Sequence, residues 1–325
     1  MSKSATPKNA LEQARQVYSQ AAECIKKQDF GNAEKYLTES LEIAPIADAA
    51  HNLGTLRFMQ NKIDAAIELF QQAFTLDPHY DAAYANLMRI FYQKGDFAKA
   101  MEYSAMAMTA APENTLHKEE FVKILSKIKI QQATPEIKQL VAFCLEDRNL
   151  SFDDLALSWL HLITVDQDIE QIYALRGRKD FEECFEDLED YKGLLARYFT
   201  LGLCRLKIED GEFQTFLNKL RTLILKDHIE ENTVLFDKSF LELIAAVSVA
   251  SRKMDFDFEE SVQEKEWLEK LRCEVKEHNA LKNPKALLIL GCYEDIGTDP
   301  YAQTLKAVSE SAPDLKKFLS SYPAQ

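Results

Sequence analysis

Two stretches set one above the other decide the architecture: Ala47–Pro78, ADAAHNLGTLRFMQNKIDAAIELFQQAFTLDP, and Asp81–Pro112, DAAYANLMRIFYQKGDFAKAMEYSAMAMTAAP. Leu53 aligns with Leu87, Ile63 with Phe97, Ala66 with Ala100, Ala73 with Ala107 and Pro78 with Pro112, each pair 34 residues apart. A fixed period of this length signals stacked helix-turn-helix units. Small residues (Gly54, Ala66, Ala73, Ala100, Ala107) stand where two helices of one unit must cross closely. Large apolar residues (Leu53, Phe70, Leu87, Phe91) are placed to fill the space between units. Asn61-Lys62 and Gly95-Asp96 are the expected tight turns. A proline closes each unit, because a helix interior tolerates proline poorly.

Working outward, a weaker copy runs from Ala14 to Pro45, with Phe30, Ala33 and Leu37 in register and Gln20 where a leucine is expected. A fourth start, from Thr115 to about Ile130, has Phe121 and Leu125 but no second-helix pattern. The reading is three repeats and a following helix. In spacing and residue type together, these units resemble the tetratricopeptide repeat. The resemblance implies a curved solenoid whose first helices line a concave groove that binds a peptide or protein partner.

Asn52 of HNLG recurs as Asn86 of ANLM, one repeat later. In the family, such asparagines face the groove and hold the backbone of an extended peptide. A side-chain amide can donate to C=O and accept from N–H of one peptide unit. Neighbouring candidates are Tyr18, Thr55, Met59, Arg89 and Gln93. The basic set that grips terminal carboxylates in chaperone-tail-binding members is not reproduced. Tyr18, Ala22 and Ala82 occupy positions where Lys or Asn would be needed. Binding of Glu-Glu-Val-Asp tails is therefore not expected.

The expected organisation is a flexible tail over 1–10, the solenoid over 11–114 and a second domain over 115–325. QQATPE (Gln131–Glu136) interrupts the pattern. Beyond it the apolar period stays near that of a helix. The stripes include Ile137, Leu140, Val141, Cys144 and Leu145, then Leu155, Trp159 and Leu162, then Phe213, Phe216, Leu217, Leu220 and Ile224. The run Phe236–Val249 is apolar nearly all round and reads as a central buried helix. Strand alternation is nowhere sustained. The chain thus reads as all-α, a repeat solenoid followed by an all-helical domain of nine or ten helices. The stretches 194–225, 240–261 and 287–296 also resemble the helical segment of bacterial proteins that join such repeats to an S-adenosylmethionine-dependent methyltransferase domain. Only 29 residues follow Ile296, too few for that catalytic domain. A non-catalytic, substrate-recruiting partner or relic of such a system is the alternative reading.

Composition agrees with helix and narrows the partners. With 9 glycines and 9 prolines in 325 residues, the chain has few of the residues that turns and hairpins need. A net charge of −14 argues against a sequence-independent nucleic-acid binder. No apolar run approaches a membrane span, and the polar start MSKSATPKNALEQ has no signal-peptide core, so a soluble cytoplasmic protein is expected. The cysteines at 24, 144, 184, 204, 273 and 292 form no CxxC pair, and no histidine stands near them at metal-ligand spacing. They read as reduced, small hydrophobes, and no metal site is expected.

One late stretch, ALLILGCYEDIG (286–297), has the outline of a nucleotide-binding turn. Bulky residues follow Gly291 where further glycines would be required, and no strand-helix-strand order surrounds it. It reads as a late helix, with Pro284 in the first turn and Leu287, Leu288 and Cys292 facing the core. His161 reads as a satisfied packing residue, and the acidic run 180–190 as a solvated helix face. No catalytic constellation or cofactor site is expected. The function read from the sequence is a protein-interaction adaptor, not an enzyme.

Overall fold

A computed structural model describes residues 7–147, 149–186, 188, 192–230, 240–254, 258, 260–277 and 284–294. Among them there is no strand. The chain divides into two compact units, Met1–Ile128 and Lys129–Gln325.

The first unit holds three hairpins: α1 (Pro7–Lys26) with α2 (Phe30–Ile43), α3 (Ala47–Met59) with α4 (Ile63–Leu76), and α5 (Asp81–Gln93) with α6 (Phe97–Ala110). A seventh helix, α7 (Thr115–Leu125), packs on α6. The sequence division at residue 115 puts this helix in the second domain, whereas the first compact unit runs to Ile128. Of the expected tail, residues 1–6 lie outside the described residues, and residues 7–10 already belong to α1.

The turns between paired helices share one backbone device. Gln28, Asn61 and Gly95 take positive φ of 58°, 59° and 75° at the same place in each hairpin. The next residue caps the second helix where its chemistry allows. Asp29 accepts from Asn32 N and Asp96 from Lys99 N, both at 3.2 Å, whereas Lys62 in the middle hairpin caps nothing with its side chain.

Ala33, Ala66, Ala73 and Ala100 are fully buried, and Ala107 nearly so, at the helix crossings. Phe70 belongs to the cluster that joins Leu87 and Phe91 of the next hairpin, as expected. It also packs inside its own hairpin, since a Cβ on Gly54 would sit 2.9 Å from its ring.

In the second unit nine α-helices are described: α8 (Pro135–Glu146), α9 (Asp153–Thr164), α10 (Glu170–Ala174), α11 (Phe181–Glu186), α12 (Arg197–Arg205), α13 (Gly211–Glu230), α14 (Leu241–Lys253), α15 (Val262–Glu277) and α16 (Pro284–Leu290). Their core is built around Trp159 of α9, which is fully buried. Its indole N–H donates to Tyr198 O at 2.9 Å, and its ring stacks on Phe199 and meets the edge of Phe213. Gly202 lets α12 lie directly on the indole, since a Cβ there would fall 2.1 Å from it. Beside this centre, buried Asp166 accepts from Lys138 Nζ at 2.6 Å and from the Tyr198 hydroxyl.

The late stretch is helical as far as Leu290 and then turns. Leu287, Leu288 and Cys292 are buried, while residues 295–297 lie outside the described residues. In the run 236–249, Phe240 and residues 243–248 are buried, Leu241, Glu242 and Val249 are partly buried, and residues 236–239 lie outside the described residues. His161 Nε2 lies 2.9 Å from Ile130 O, a satisfied contact. All six cysteines are free thiols. No helix among the described residues is long and apolar enough to cross a membrane.

Candidate functional site

The first helices α1, α3 and α5 bring Tyr18, Asn52 and Asn86 into one hydrogen-bonded row. Asn52 Nδ2 donates to the Tyr18 hydroxyl at 3.0 Å. The row continues through a residue that the sequence reading did not select. His51 places Nδ1 3.3 Å from Asn52 Oδ1, and Nε2 2.9 Å from Asn86 Nδ2. With the Asn52 oxygen on one side and the Asn86 NH2 on the other, the ring proton is assigned to Nδ1 and Nε2 accepts. His51 is thus neutral in the row. Burial pushes its pKa below the usual 6.5, against the raising effects of the Asn52 bond and of Asp48 and Asp81. Its ring is held between Tyr80 and Phe70, with centroids 5.1 and 5.6 Å away. Burial and the nearby Asp48 also hold the Tyr18 phenol above its ordinary pKa, opposed by the Asn52 bond.

Each asparagine keeps capacity beyond these bonds. Asn86 Oδ1 has no protein partner among the described residues. Each NH2 has a second N–H and each oxygen two lone pairs. The internal bonds therefore orient the amides without exhausting them.

The other candidates divide. Thr55 lies half-buried on α3, with its hydroxyl donating back to His51 O at 3.1 Å. Met59 is 61% exposed at the end of α3, and Gln93 is exposed at the end of α5. Arg89 is exposed but not free, because its Nε and Nη2 donate to Glu120 Oε1 at 3.1 and 2.9 Å. Glu120 stands 34 residues after Asn86, so the repeat period itself could have found it. His51 left no such signal, because its counterpart one repeat later is Ala85.

Near Glu120, α7 is fastened to α5 by buried His117, whose Nε2 lies 2.8 Å from Asp81 Oδ2, while its Nδ1 lies 3.8 Å from Glu120 Oε2 on its own helix. Burial alone would raise the Asp81 pKa, but the His117 bond and charge outweigh it and lower it. The face formed by the first helices is thus a fixed polar row, not a set of independent solvated side chains.

Comparison with known proteins bears on the repeats that carry this row. Residues 57–119 match the tetratricopeptide repeat family model. Protein O-mannosyl-transferase TMTC1 of Mus musculus is 28% identical over 104 residues, covering 30% of this chain and 11% of that protein. Tetratricopeptide repeat protein 6 of Homo sapiens is 27% identical over 94 residues, covering 29% of this chain and 18% of that protein. The chain spans less than a fifth of the length of either relative, so the transferase activity in the first name is a statement about that protein. Hairpin geometry, a fixed period and the family match agree: the first unit is a stack of tetratricopeptide repeats.

Proposed function

We propose that the first unit binds an extended peptide segment of a protein partner across the face formed by α1, α3, α5 and α7, and that the chain serves as a soluble, cytoplasmic interaction adaptor rather than an enzyme. Tetratricopeptide repeats generally mediate protein–protein interactions, and the amide row is what carries the finer reading. Asn52 and Asn86 recur one repeat apart and are held by Tyr18 and His51. They keep donor and acceptor capacity for a peptide backbone. Amides fixed before binding lose little side-chain freedom when a ligand arrives. Thr55, Met59, Arg89 and Gln93 continue the same face toward the helix C-termini and meet the peptide's side chains.

The test is selection of random linear peptides on the full chain, followed by titration of the most enriched peptide against Asn52→Ala and Asn86→Ala. Each substitution removes up to two hydrogen bonds and is expected to weaken binding by about tenfold. Unchanged affinity in both variants, with far-UV circular dichroism intact, removes the amide row from the binding site.

A further inference from the structure

Between α5 and α7 lies a pocket of about 230 Å³. Its floor is apolar, made by Met88 and Ile124, which are almost fully buried in the repeat core. Tyr92 and Gln93 form one side. Tyr92 is 37% exposed, and its ring is braced edge-on against Phe97, with centroids 5.5 Å apart. The rim is charged: Arg89, Glu120 and Lys123. Arg89 and Glu120 neutralise each other through two hydrogen bonds. Lys123 makes no ion pair among the described residues, so the rim carries one uncompensated positive charge.

We propose that this pocket sets the side-chain preference of the bound segment. It receives one apolar side chain of leucine, methionine or phenylalanine size, and Lys123 meets an Asp or Glu carboxylate one or two residues away in the segment. The proposal rests on the peptide-binding reading above and adds a sequence preference to it. Size and lining set the first half. A cavity of this volume over buried Met88 and Ile124 gains most from an apolar group that displaces water from it. Charge sets the second half. One free ammonium suits one side-chain carboxylate inside a chain. A bidentate grip on a chain terminus calls for a free guanidinium or paired cations, and the Arg89 guanidinium already faces Glu120. The segment is therefore read internally, without regard to its C-terminus.

The probe is the most enriched peptide from a random linear library selected on the full chain. It is synthesised with a dye as the free acid and as the C-terminal amide, and its binding is followed by fluorescence anisotropy. The expected sequences pair an apolar residue with a nearby acid. Lys123→Glu should weaken binding about tenfold, and Gln93→Trp, which covers the pocket mouth from an exposed position, by a similar factor. Amidation should change nothing. If Gln93→Trp perturbs the far-UV spectrum, Tyr92→Ala, which removes the pocket wall, replaces it. Loss of binding on Asn52→Ala and Asn86→Ala with no effect of the Gln93 and Lys123 variants overturns the pocket and keeps the peptide-binding face. Insensitivity to all four variants overturns both. Enrichment of basic peptides, a requirement for a free terminal carboxylate, or no enrichment at all also overturns the proposal.

Discussion

Gly54 and Gly202 each admit an aromatic ring, but they do so in different kinds of architecture. Gly54 receives Phe70 within a single hairpin, and the next hairpin solves the same problem another way. At the positions 34 residues later stand Met88 and Ser104, a large residue where the glycine was and a small one where the phenylalanine was. The volume has moved from one helix to the other and the crossing is preserved. Gly202 of α12 receives Trp159 from α9, three helices earlier in the chain, and no second copy of that contact exists among the described residues. A repeat stack is a sum of similar local solutions, each replaceable by its neighbour's. The second unit depends on one non-local arrangement that nothing nearby can replace.

Three experiments test that contrast. The largest effect is expected from Gly202→Ala. The indole is fixed by its bond to Tyr198 O and by two aromatic neighbours, so the new methyl finds no room. Overpacking there should cost about 3 kcal/mol or more. Both tryptophans, Trp159 and Trp267, lie in the second unit, so urea unfolding followed by tryptophan fluorescence reports that unit alone. A midpoint within error of the parent chain would show that the second core yields as readily as a repeat.

Next comes transplanting one repeat's solution into another. Phe70→Ser should cost about 3 kcal/mol by leaving a cavity, and Gly54→Met should cost about 1–3 kcal/mol by overfilling it. The double variant copies the Met88 and Ser104 pair, and it should recover most of the combined loss, with a coupling of about 2 kcal/mol. Far-UV circular dichroism should register these changes while tryptophan fluorescence stays in place. Simple additivity of the two losses would mean that the crossings are not interchangeable.

The smallest effect concerns His51. Its folded pKa lies below 6.5, so as pH falls the unfolded chain takes up a proton first. The first unit's stability should be full above about pH 6.5 and decline as pH falls from there through the lower folded value. His51→Gln should flatten that decline. The same slope with and without the histidine would mean that another group sets it.

The contrast also explains what could be read in advance. Helix boundaries and crossing residues of the first unit were legible because every feature of one hairpin is checked against the next. Asn52 and Asn86 stood out for the same reason. His51, with Ala85 as its counterpart, fell outside that check, although it joins the two amides. In the second unit the helical stripes were legible. Their pairing was not, because contacts such as Trp159 with Tyr198 or Thr222 with Glu264 follow no period. The place of α7 was obscured by its lack of a second helix, although the His117–Asp81 and Glu120–Arg89 contacts tie it to α5.

The histidine between the two amides has one more consequence. With its proton on Nδ1, Asn52 must turn its oxygen toward the ring and Asn86 its NH2. Moving that proton to Nε2 would require both amides to rotate end for end and the Tyr18 hydroxyl to donate instead of accept. The row therefore has two self-consistent senses, and each presents donors where the other presents acceptors. A peptide backbone has a direction, N–H and C=O alternating in fixed order. For the peptide-binding face proposed above, the position of a single imidazole proton would set which way a chain lies along the row.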